Sequence, residues 1–475
     1  MSHALTPSQE QALADLVAVY PVADELAQRF AAAGHELYLV GGTVRDTLLH
    51  GDAGKDLDFA TPARPHESER VLAGWADAVW LTGARFGTVS GAKDGAHLEI
   101  TTFRSDAYAP DSRHPEVTYG DDITVDLSRR DLTVNAMAVR LAPPPPRFVD
   151  PFGGLADLRA SVLRTPVDPE TSFADDPLRM VRLARFAAVL DAEPDGAALK
   201  AATTMADRLD LVSRERIRDE LNRLVCAPAQ ARGMDILVDA GLADRFLPEL
   251  PALRMERDPV HHHKDVYRHT LAVVDRCPHD DLVLRLAALL HDIGKPATRE
   301  FHPDGRVTFH HHEVVGARMA RQRLQALKYP KTVIDEVSQL VFMHLRFHGY
   351  AEGRWTDSAV RRYVNDCGNE TQLRRLNQLS RADVTTRNQD KARRLHAAMD
   401  DLQARIAALR EREELERVRP AVDGNQIMAH LGIAPGPLVG EAWNMLKEAR
   451  LEEGPMSDER AYELLDAWAE AKGLR

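Results

Sequence analysis

The chain is poor in cysteine, in lysine and in long apolar runs. Three cysteines, Cys226, Cys277 and Cys367, stand in 475 residues. Their odd number and wide spacing exclude a disulfide framework or a cysteine-based zinc site, and suit a reducing compartment. No apolar run approaches the roughly 20 residues of a membrane-spanning helix. The opening stretch MSHALTPSQEQALADLV carries acids and no basic segment, which argues against a secretory leader. A cytoplasmic protein without a membrane partner is expected. Aromatics are only 6% of the chain, but 44% apolar and 28% charged residues are a globular balance, not a disordered or fibrous one. About three domains are expected at this length. Only ten of the 61 basic residues are lysine, so most positive charge is planar guanidinium, which suits bidentate contact with phosphate. The formal charge of -12, taken alone, argues against a nucleic-acid partner.

What is present changes character along the chain. Residues 8–33 read as two short helices. Leu13, Leu16, Val17 and Tyr20 form one buried face, Pro21 breaks it, and Val22, Leu26 and Phe30 recur in the second. The run Glu36–Val40 ends in Gly41-Gly42, and Asp56–Ala60 and His97–Thr101 alternate at period two, so 35–150 reads as mixed α/β. Pro143–Pro146 is a stiff connector. Beyond about residue 170 strand signals fade. Leu178, Val181, Leu183 and Phe186, then Ile217, Leu221, Leu224 and Leu237, keep helical spacing. Residues 265–395 are helical and rich in histidine, 400–418 form a charged helix ended by Pro420, and a small helical tail follows from 424. No internal repeat is found. The expected class is α+β multidomain: a mixed α/β head (1–165), a helical neck (166–255), a histidine-rich helical domain (256–396), and a helical linker and tail (397–475).

Tyr38-Leu39-Val40 runs into Gly41-Gly42-Thr43-Val44-Arg45. Glycines at a strand-to-helix turn let the backbone approach a ligand, and the helix N-terminus offers free N–H groups to an anion. Thr43 and Arg45 add side-chain donors. Alone, such a pair is usually only a turn. Asp56 and Asp58, however, sit two apart on a short strand, so both carboxylates share one face and Leu57 takes the other. Two like charges that close need a cation between them, or one pKa must rise. Paired hard oxygens on a rigid strand are what Mg²⁺ phosphoryl-transfer sites use. Asp-x-Asp is common on surfaces; after a Gly-Gly strand turn it is far more specific. Glu99, on a later strand, is the candidate third carboxylate.

Residues 38–61, YLVGGTVRDTLLHGDAGKDLDFAT, resemble the first motif of the tRNA nucleotidyltransferase/poly(A) polymerase family of the polymerase-beta superfamily. Four further motifs follow in order: Arg129-Arg130-Asp131-Leu132-Thr133-Val134-Asn135-Ala136-Met137; Asp150-Pro151-Phe152-Gly153-Gly154 with Asp157-Leu158; Asp175-Asp176-Pro177-Leu178-Arg179 with Arg182, Arg185 and Phe186; and Ser213-Arg214-Glu215-Arg216-Ile217 with Glu220-Leu221. With the histidine-rich half, the chain resembles the actinobacterial form of the CCA-adding enzymes.

The resemblance implies addition of nucleotides from CTP and ATP to the tRNA 3′ end. Asp56 and Asp58 would hold two Mg²⁺ ions, with Glu99 beside them. Gly41, Gly42, Thr43 and Arg45 would cradle phosphates, and Arg130, Asp131 and Asn135 would bind sugar and phosphate. Asp176 and Arg179, taken as i and i+3 on one helix, would share a face and read the base, with Arg182 and Arg185 further along it. An arginine donor beside an aspartate acceptor suits the edges of cytosine and adenine. Uracil and guanine present the reverse order, and such a mismatch can discriminate by roughly 10⁴-fold. The family often has Glu where this chain has Asp175, so the role of Asp175 departs from the pattern.

Twelve of the 20 histidines lie in 261–348. His269, then His291-Asp292 behind the apolar helix Leu284–Leu290, then His312, His344 and Asp383 resemble the HD phosphohydrolase superfamily, an all-helical metal-binding fold. His291 and Asp292 are adjacent and so not on one helix face; two ligands there require a helix end converging with others. His269, His291, Asp292 and Asp383 are the expected primary ligands, and His312 and His344 complete a second metal site. Imidazole with carboxylate suits a transition metal better than Mg²⁺ alone. Lys295 is a candidate phosphate contact, and the tracts at 261–263 and 310–312 read mostly as exposed loops. A purely structural HD domain is the alternative.

Residues 354–394 hold ten Arg or Lys and five acids, a local net of +5. Arg361, Arg362, Arg374 and Arg375 there, with Arg214 and Arg216 in the neck, are the expected RNA contacts. The arginines gather locally, so the acidic total predicts salt-sensitive, local RNA binding, not its absence. A glycine-proline turn at 432–437 is expected to open a tail helix. The rival expectations are a poly(A) polymerase or an A-only or CC-only enzyme of the same family, an HD phosphohydrolase with an RNA-binding N-terminal domain, and a non-catalytic RNA-binding module. No protein partner is legible.

Overall fold

A computed structural model of the chain describes residues 7, 21–51, 54–107, 116–255, 265–303, 307–351, 353, 355–386, 388–413 and 422–474. The helix expected over 8–20, the tract at 261–263, Arg354 and Arg387 lie outside them. The chain forms two compact units, Met1–Pro248 and Glu249–Arg475.

In the first unit, α1 (Pro21–Ala32), β1 (Leu37–Val40), α2 (Gly42–His50), β2 (Asp56–Thr61), α3 (Pro65–Leu72), β3 (Ala78–Trp80), β4 (Thr88–Lys93) and β5 (Ala96–Thr102) come first in order. A separate hairpin pairs β6 (Arg104–Ala107) with β7 (Glu116–Tyr119). Then follow α4 (Ile123–Ser128), β8 (Ala138–Ala142), β9 (Arg147–Val149) and α5 (Gly154–Ala160). Seven strands form one sheet in the order β3-β4-β5-β2-β1-β8-β9. Only β2 and β5 pair in parallel there, with Asp58 opposite Glu99. Period-two alternation turns Leu57, Phe59, Leu98, Ile100 and Val89 into a core shared with Leu26 and Phe30 of α1 and Leu72 of α3. The opposite face of β2 and β5 carries Asp56, Asp58, His97 and Glu99.

The neck is helical but for the two-residue strand Glu193–Pro194, which pairs with Val162–Leu163: α6 (Pro169–Asp175), α7 (Leu178–Leu190), α8 (Gly196–Thr204), α9 (Arg214–Val225) and α10 (Gln230–Asp239). Buried Val181, Ala184 and Ala188 of α7 lie among Leu221 and Leu224 of α9 and Met234 and Leu237 of α10.

The second unit holds α11 (Val266–Asp275), α12 (Leu282–Leu290), α13 (His312–Ala326), α14 (Lys331–Met343), α15 (Arg346–Ala351), α16 (Asp357–Cys367), α17 (Glu370–Asp383) and α18 (Gln389–Glu413). The tail has α19 (Gly424–Leu431), α20 (Pro437–Glu453) and α21 (Asp458–Ala471), packed around Ile427, Leu446 and Leu465. Gly436 caps α20 and Pro437 opens it, as expected for a residue whose ring presets helical φ. The charged helix begins earlier than the expected 400, at Gln389, and so runs through residue 396. Among the described residues no helix is long and apolar enough to cross a membrane.

Candidate active site and metal centre

β2 carries Asp56 exposed and Asp58 half-buried, with Leu57 buried between them. Glu99 joins them through the β2–β5 register, so three carboxylates share one open sheet face. Burial raises the Asp58 carboxyl above its ordinary range; Arg130 opposes this, and Glu99 and Asp56 add to it. An acid cluster that disfavours its own charge fits a hard cation. Thr43 Oγ1 donates to the Asp56 carbonyl (3.4 Å) and accepts the Asp58 N–H (3.3 Å). Thr43 therefore ties α2 to the acid strand.

A cavity of about 430 Å³ brings together Gly41, Gly42, Arg45, Asp58, Arg130, Asp131, Asn135, Asp176, Arg179, Arg182 and Arg185. Gly41 has φ 71°, a left-handed backbone conformation that favours glycine, and a Cβ there would press on the Arg130 guanidinium at 2.9 Å, which would have to shift. Arg130 Nε is buried with no hydrogen-bond partner among the described residues, while its Nη2 lies 3.5 Å from the Asp126 carboxylate. Arg45 is clasped at 2.8 Å twice by Asp46 and donates to Asn135 Oδ1 at 2.5 Å. Arg129, Phe186 and Arg223 also line the cavity and were not expected there.

Behind the cavity lies an ionic network. Asp131 accepts from Arg182 at 2.8 and 2.5 Å, from Asn135 Nδ2 at 2.9 Å and from the Leu132 N–H at 2.8 Å. Burial alone would raise the Asp131 carboxyl; Arg182 and these donors overcome it and hold the group below its ordinary range. Such a group contributes stability that is fully present above about pH 4 and is lost as pH falls through its lower folded value. Melting of the wild type and Asp131→Asn should therefore differ most at pH 7 and converge as pH falls below about 4; a constant gap would remove the ionic account.

One sequence expectation is corrected. Asp176 and Arg179 do not share a helix. α6 ends at Asp175, Asp176 is extended at φ -144°, and α7 starts after Pro177. Proline disfavours helical backbone in the residue before it, which breaks the run there. The Asp176 carboxylate takes Arg216 at 2.7 Å, while Arg179 donates to Ser172 Oγ (2.9 Å) and to the Arg129 carbonyl. Both residues still line the cavity. So does Arg216, expected as an RNA contact.

The other expected RNA contacts are largely paired within the protein. Arg214 donates to the Arg245 carbonyl (3.1 Å). Arg361 is buried and donates to the carbonyls of Leu451 and Glu452, both at 3.1 Å, locking α16 onto the tail. Arg362 pairs with Glu452, and Arg375 is held by Asp281 (2.9 Å) and Glu336 (3.0 Å). Arg374 is exposed. The +5 of 354–394 is thus offset by acids from distant segments.

In the second unit, α12 ends at Leu290 and His291 is its C-cap, so the His-Asp pair leaves the helix end as expected. Two trios converge, His269/His291/Asp383 and Asp292/His312/His344, each with ligand atoms within 4.8 Å of one another. Asp292 lies between them: Oδ2 is 3.2 Å from His291 Nε2, and Oδ1 is 3.4 Å from His312 Nε2. The expected four-plus-two grouping becomes two trios with Asp292 in the middle. His291, His312 and His344 each direct Nδ1 at a carbonyl, of Ala288 (2.8 Å), Phe309 (2.8 Å) and Val341 (2.6 Å). That bond fixes the tautomer and leaves Nε2 for a metal. Nε2 of His312 and of His344 is buried without a hydrogen-bond partner among the described residues, so the residues present fit a metal centre. Burial first, then His291, pushes His344 down to about 3, keeping it neutral as a ligand must be. Lys295 donates to Asp292 Oδ2 at 2.7 Å. A cavity of about 380 Å³ opens onto the centre.

A carboxylate-bearing sheet face beside an arginine-lined cavity, joined in one chain to an HD-type centre, defines a polymerase-beta-type nucleotidyltransferase with an appended HD domain; both modules are metal-dependent kinds. Residues 37–164 match the model of the Poly A polymerase head domain, 193–253 that of the Probable RNA and SrmB- binding site of polymerase A, and 260–409 that of the HD domain. An A-adding tRNA nucleotidyltransferase of Deinococcus radiodurans is 36% identical, over 91% of this chain and 95% of that protein. The chain belongs to the tRNA nucleotidyltransferase/poly(A) polymerase family. A CCA-adding enzyme of Limosilactobacillus reuteri is 38% identical, but over 48% of this chain and only 55% of that protein. The solved CCA-adding enzyme of Bacillus stearothermophilus in complex with CTP shares the fold: TM-score 0.70, 24% identity, covering 96% of this chain and 98% of that one.

Proposed function

We propose that the chain adds CMP, CMP and AMP in turn to the tRNA 3′ end, from CTP and ATP, without a nucleic-acid template and with release of pyrophosphate. The observation that carries this is the acid trio Asp56, Asp58 and Glu99 beside the arginine-lined cavity. Two Mg²⁺ ions held by Asp56 and Asp58 would lower the pKa of the attacking 3′-OH and neutralise charge on the triphosphate. Gly41, Gly42 and the start of α2 take phosphate oxygens, and Arg130 donates to them. Asp176 and Arg179 read the base, each from its own side of the Pro177 break. Asp131, Arg182 and Arg185 hold that wall in place.

A second reading, addition of A alone, is favoured by the name of the relative matched over 95% of its length. The test is tRNA ending at the discriminator base, incubated with CTP and ATP, with the new 3′ ends sequenced. The proposal expects C, C and A in that order. AMP added only to tRNA already ending in CC supports the second reading, and AMP added without prior CMP overturns the first.

The domain limits are proposed as 1–165, 166–255, 256–396 and 397–475, in a cytoplasmic enzyme. The HD centre is proposed as a metal-dependent phosphohydrolase site acting on RNA ends. Asp292→Ala removes the carboxylate placed between both trios. Metal affinity should fall by more than about tenfold, measured as metal content after dialysis, with nucleotide addition within twofold of wild type. Retained metal would remove the two-trio assignment.

A further inference from the structure

The open face of the head sheet does not end at its acids. Asp58 is the register partner of Glu99, Glu99 of Ser90, and Ser90 of Trp80. One transverse row therefore leads from Asp58 to Trp80 at the sheet edge, three strand spacings or roughly 14 Å away. In the neighbouring row His97 is the partner of Asp56. The His97 ring lies 5.8 Å from that of Trp80, tilted by 32°. Trp80 is 45% exposed. Arg85, next to Phe86, is exposed as well. A tryptophan left half in water in the same transverse row as the acids, with an imidazole against its ring, is informative in a way that one exposed leucine is not.

The chemistry indicates what covers it. Gly41, α2 and Arg130 lie on the β1 side of Asp58, whereas Trp80 lies on the β5 side. In phosphoryl transfer the attacking and leaving oxygens are roughly in line. With the triphosphate on the β1 side, the attacking 3′-OH must arrive over Glu99 and His97. Resting on the proposed nucleotide addition, we infer that Trp80, with His97, is the stacking platform for the last base of the single-stranded RNA acceptor. Stacking is tolerant of sequence because every base has a π-face. The platform therefore holds the acceptor end while its last base changes from the discriminator to C. Arg85 supplies positive charge for the adjoining backbone phosphate.

The test compares Trp80→Ala and Trp80→Phe with wild type. Binding of a fluorescein-labelled tRNA ending in C is measured without nucleotide, and addition kinetics are measured separately. Trp80→Ala should raise the acceptor Kd and KM by at least about fivefold, the lower end of what losing one stacked base costs. kcat and the KM for CTP should stay within twofold, as for a positioning residue, and Trp80→Phe should recover most of the binding. A smaller rise in acceptor Kd for Trp80→Ala overturns the platform. So does unchanged acceptor binding with an altered sedimentation coefficient, which would assign the patch to a second copy of the chain. Trp80-dependent acceptor binding by a wild-type protein that adds no nucleotide would overturn the proposed reaction and leave the platform standing, so the two fail separately.

Discussion

Asp58→Ala should reduce nucleotide addition by at least about 10³-fold, measured in single turnover with radiolabelled CTP, while hydrolysis at the HD centre stays within twofold. The size follows from what the residue does. A carboxylate holding the metals supplies several kcal/mol of charge stabilisation in phosphoryl transfer, and each 1.36 kcal/mol is tenfold in rate. Asp58→Asn keeps the shape without the charge and should lose nearly as much. The same variant should leave the metal-free protein equally stable or more so. Burial and neighbouring acids raise the folded Asp58 pKa. A raised folded pKa means the ionised group opposes folding at neutral pH, and that penalty vanishes as pH falls below the ordinary carboxylate range. Lost activity with an unchanged or higher Tm in EDTA is the signature of a group placed for function at some cost in stability. Addition surviving at a tenth of the wild-type rate would sink the site.

Local pattern carried much of this site because local pattern is what positions it. Period two alone assigns Asp56 and Asp58 to one face and Leu57 to the core, and the structure agrees. The turn at Gly41 and the exit of His291-Asp292 from a helix end are likewise consequences of adjacent residues. The break at Asp176 is also legible, since Pro177 disfavours helical backbone just before it and outweighs the helical i, i+3 spacing of Asp176 and Arg179. Pairing between distant helices was not legible. Arg375 is neutralised by Asp281, 94 residues away, and Arg361 is tied up by hydrogen bonds to carbonyls 90 and 91 residues away. A charge sum over 354–394 cannot count partners outside that window. Trp80 had no local signal at all: a tryptophan on a three-residue strand gains meaning only when the register places it in the row of Asp58 and Glu99.

The same distance in sequence hides the residue whose loss should cost the most stability. Glu220, only 4% exposed on α9, is 3.2 Å from Arg182, 2.5 Å from Arg185 and 3.4 Å from Arg223. Glu220→Ala should destabilise the first unit by about 3–5 kcal/mol, the usual cost of removing one partner from a buried ion pair. The penalty comes from the positive charge stranded in the interior more than from the absent attraction. Arg182 keeps Asp131, but Arg185 loses the first group opposing its burial, which already weakens its hold on its proton; the like charge of Arg182 adds to that burial, and the Asp131 charge is left to oppose both. A guanidinium cannot relieve the strain by deprotonating. Glu220→Gln retains an acceptor oxygen and should lose less. The KM for CTP should rise in both variants, because Arg182 and Arg185 line the nucleotide cavity. Unfolding by scanning calorimetry measures the loss, and a change under about 1 kcal/mol in Glu220→Ala would contradict it. The double variant Glu220→Ala/Arg185→Met separates the causes. If uncompensated charge dominates, removing the arginine as well should restore part of the stability, since apolar groups of similar shape replace a buried ion pair at little cost. If poorer packing dominates, the double variant will be less stable than either single one.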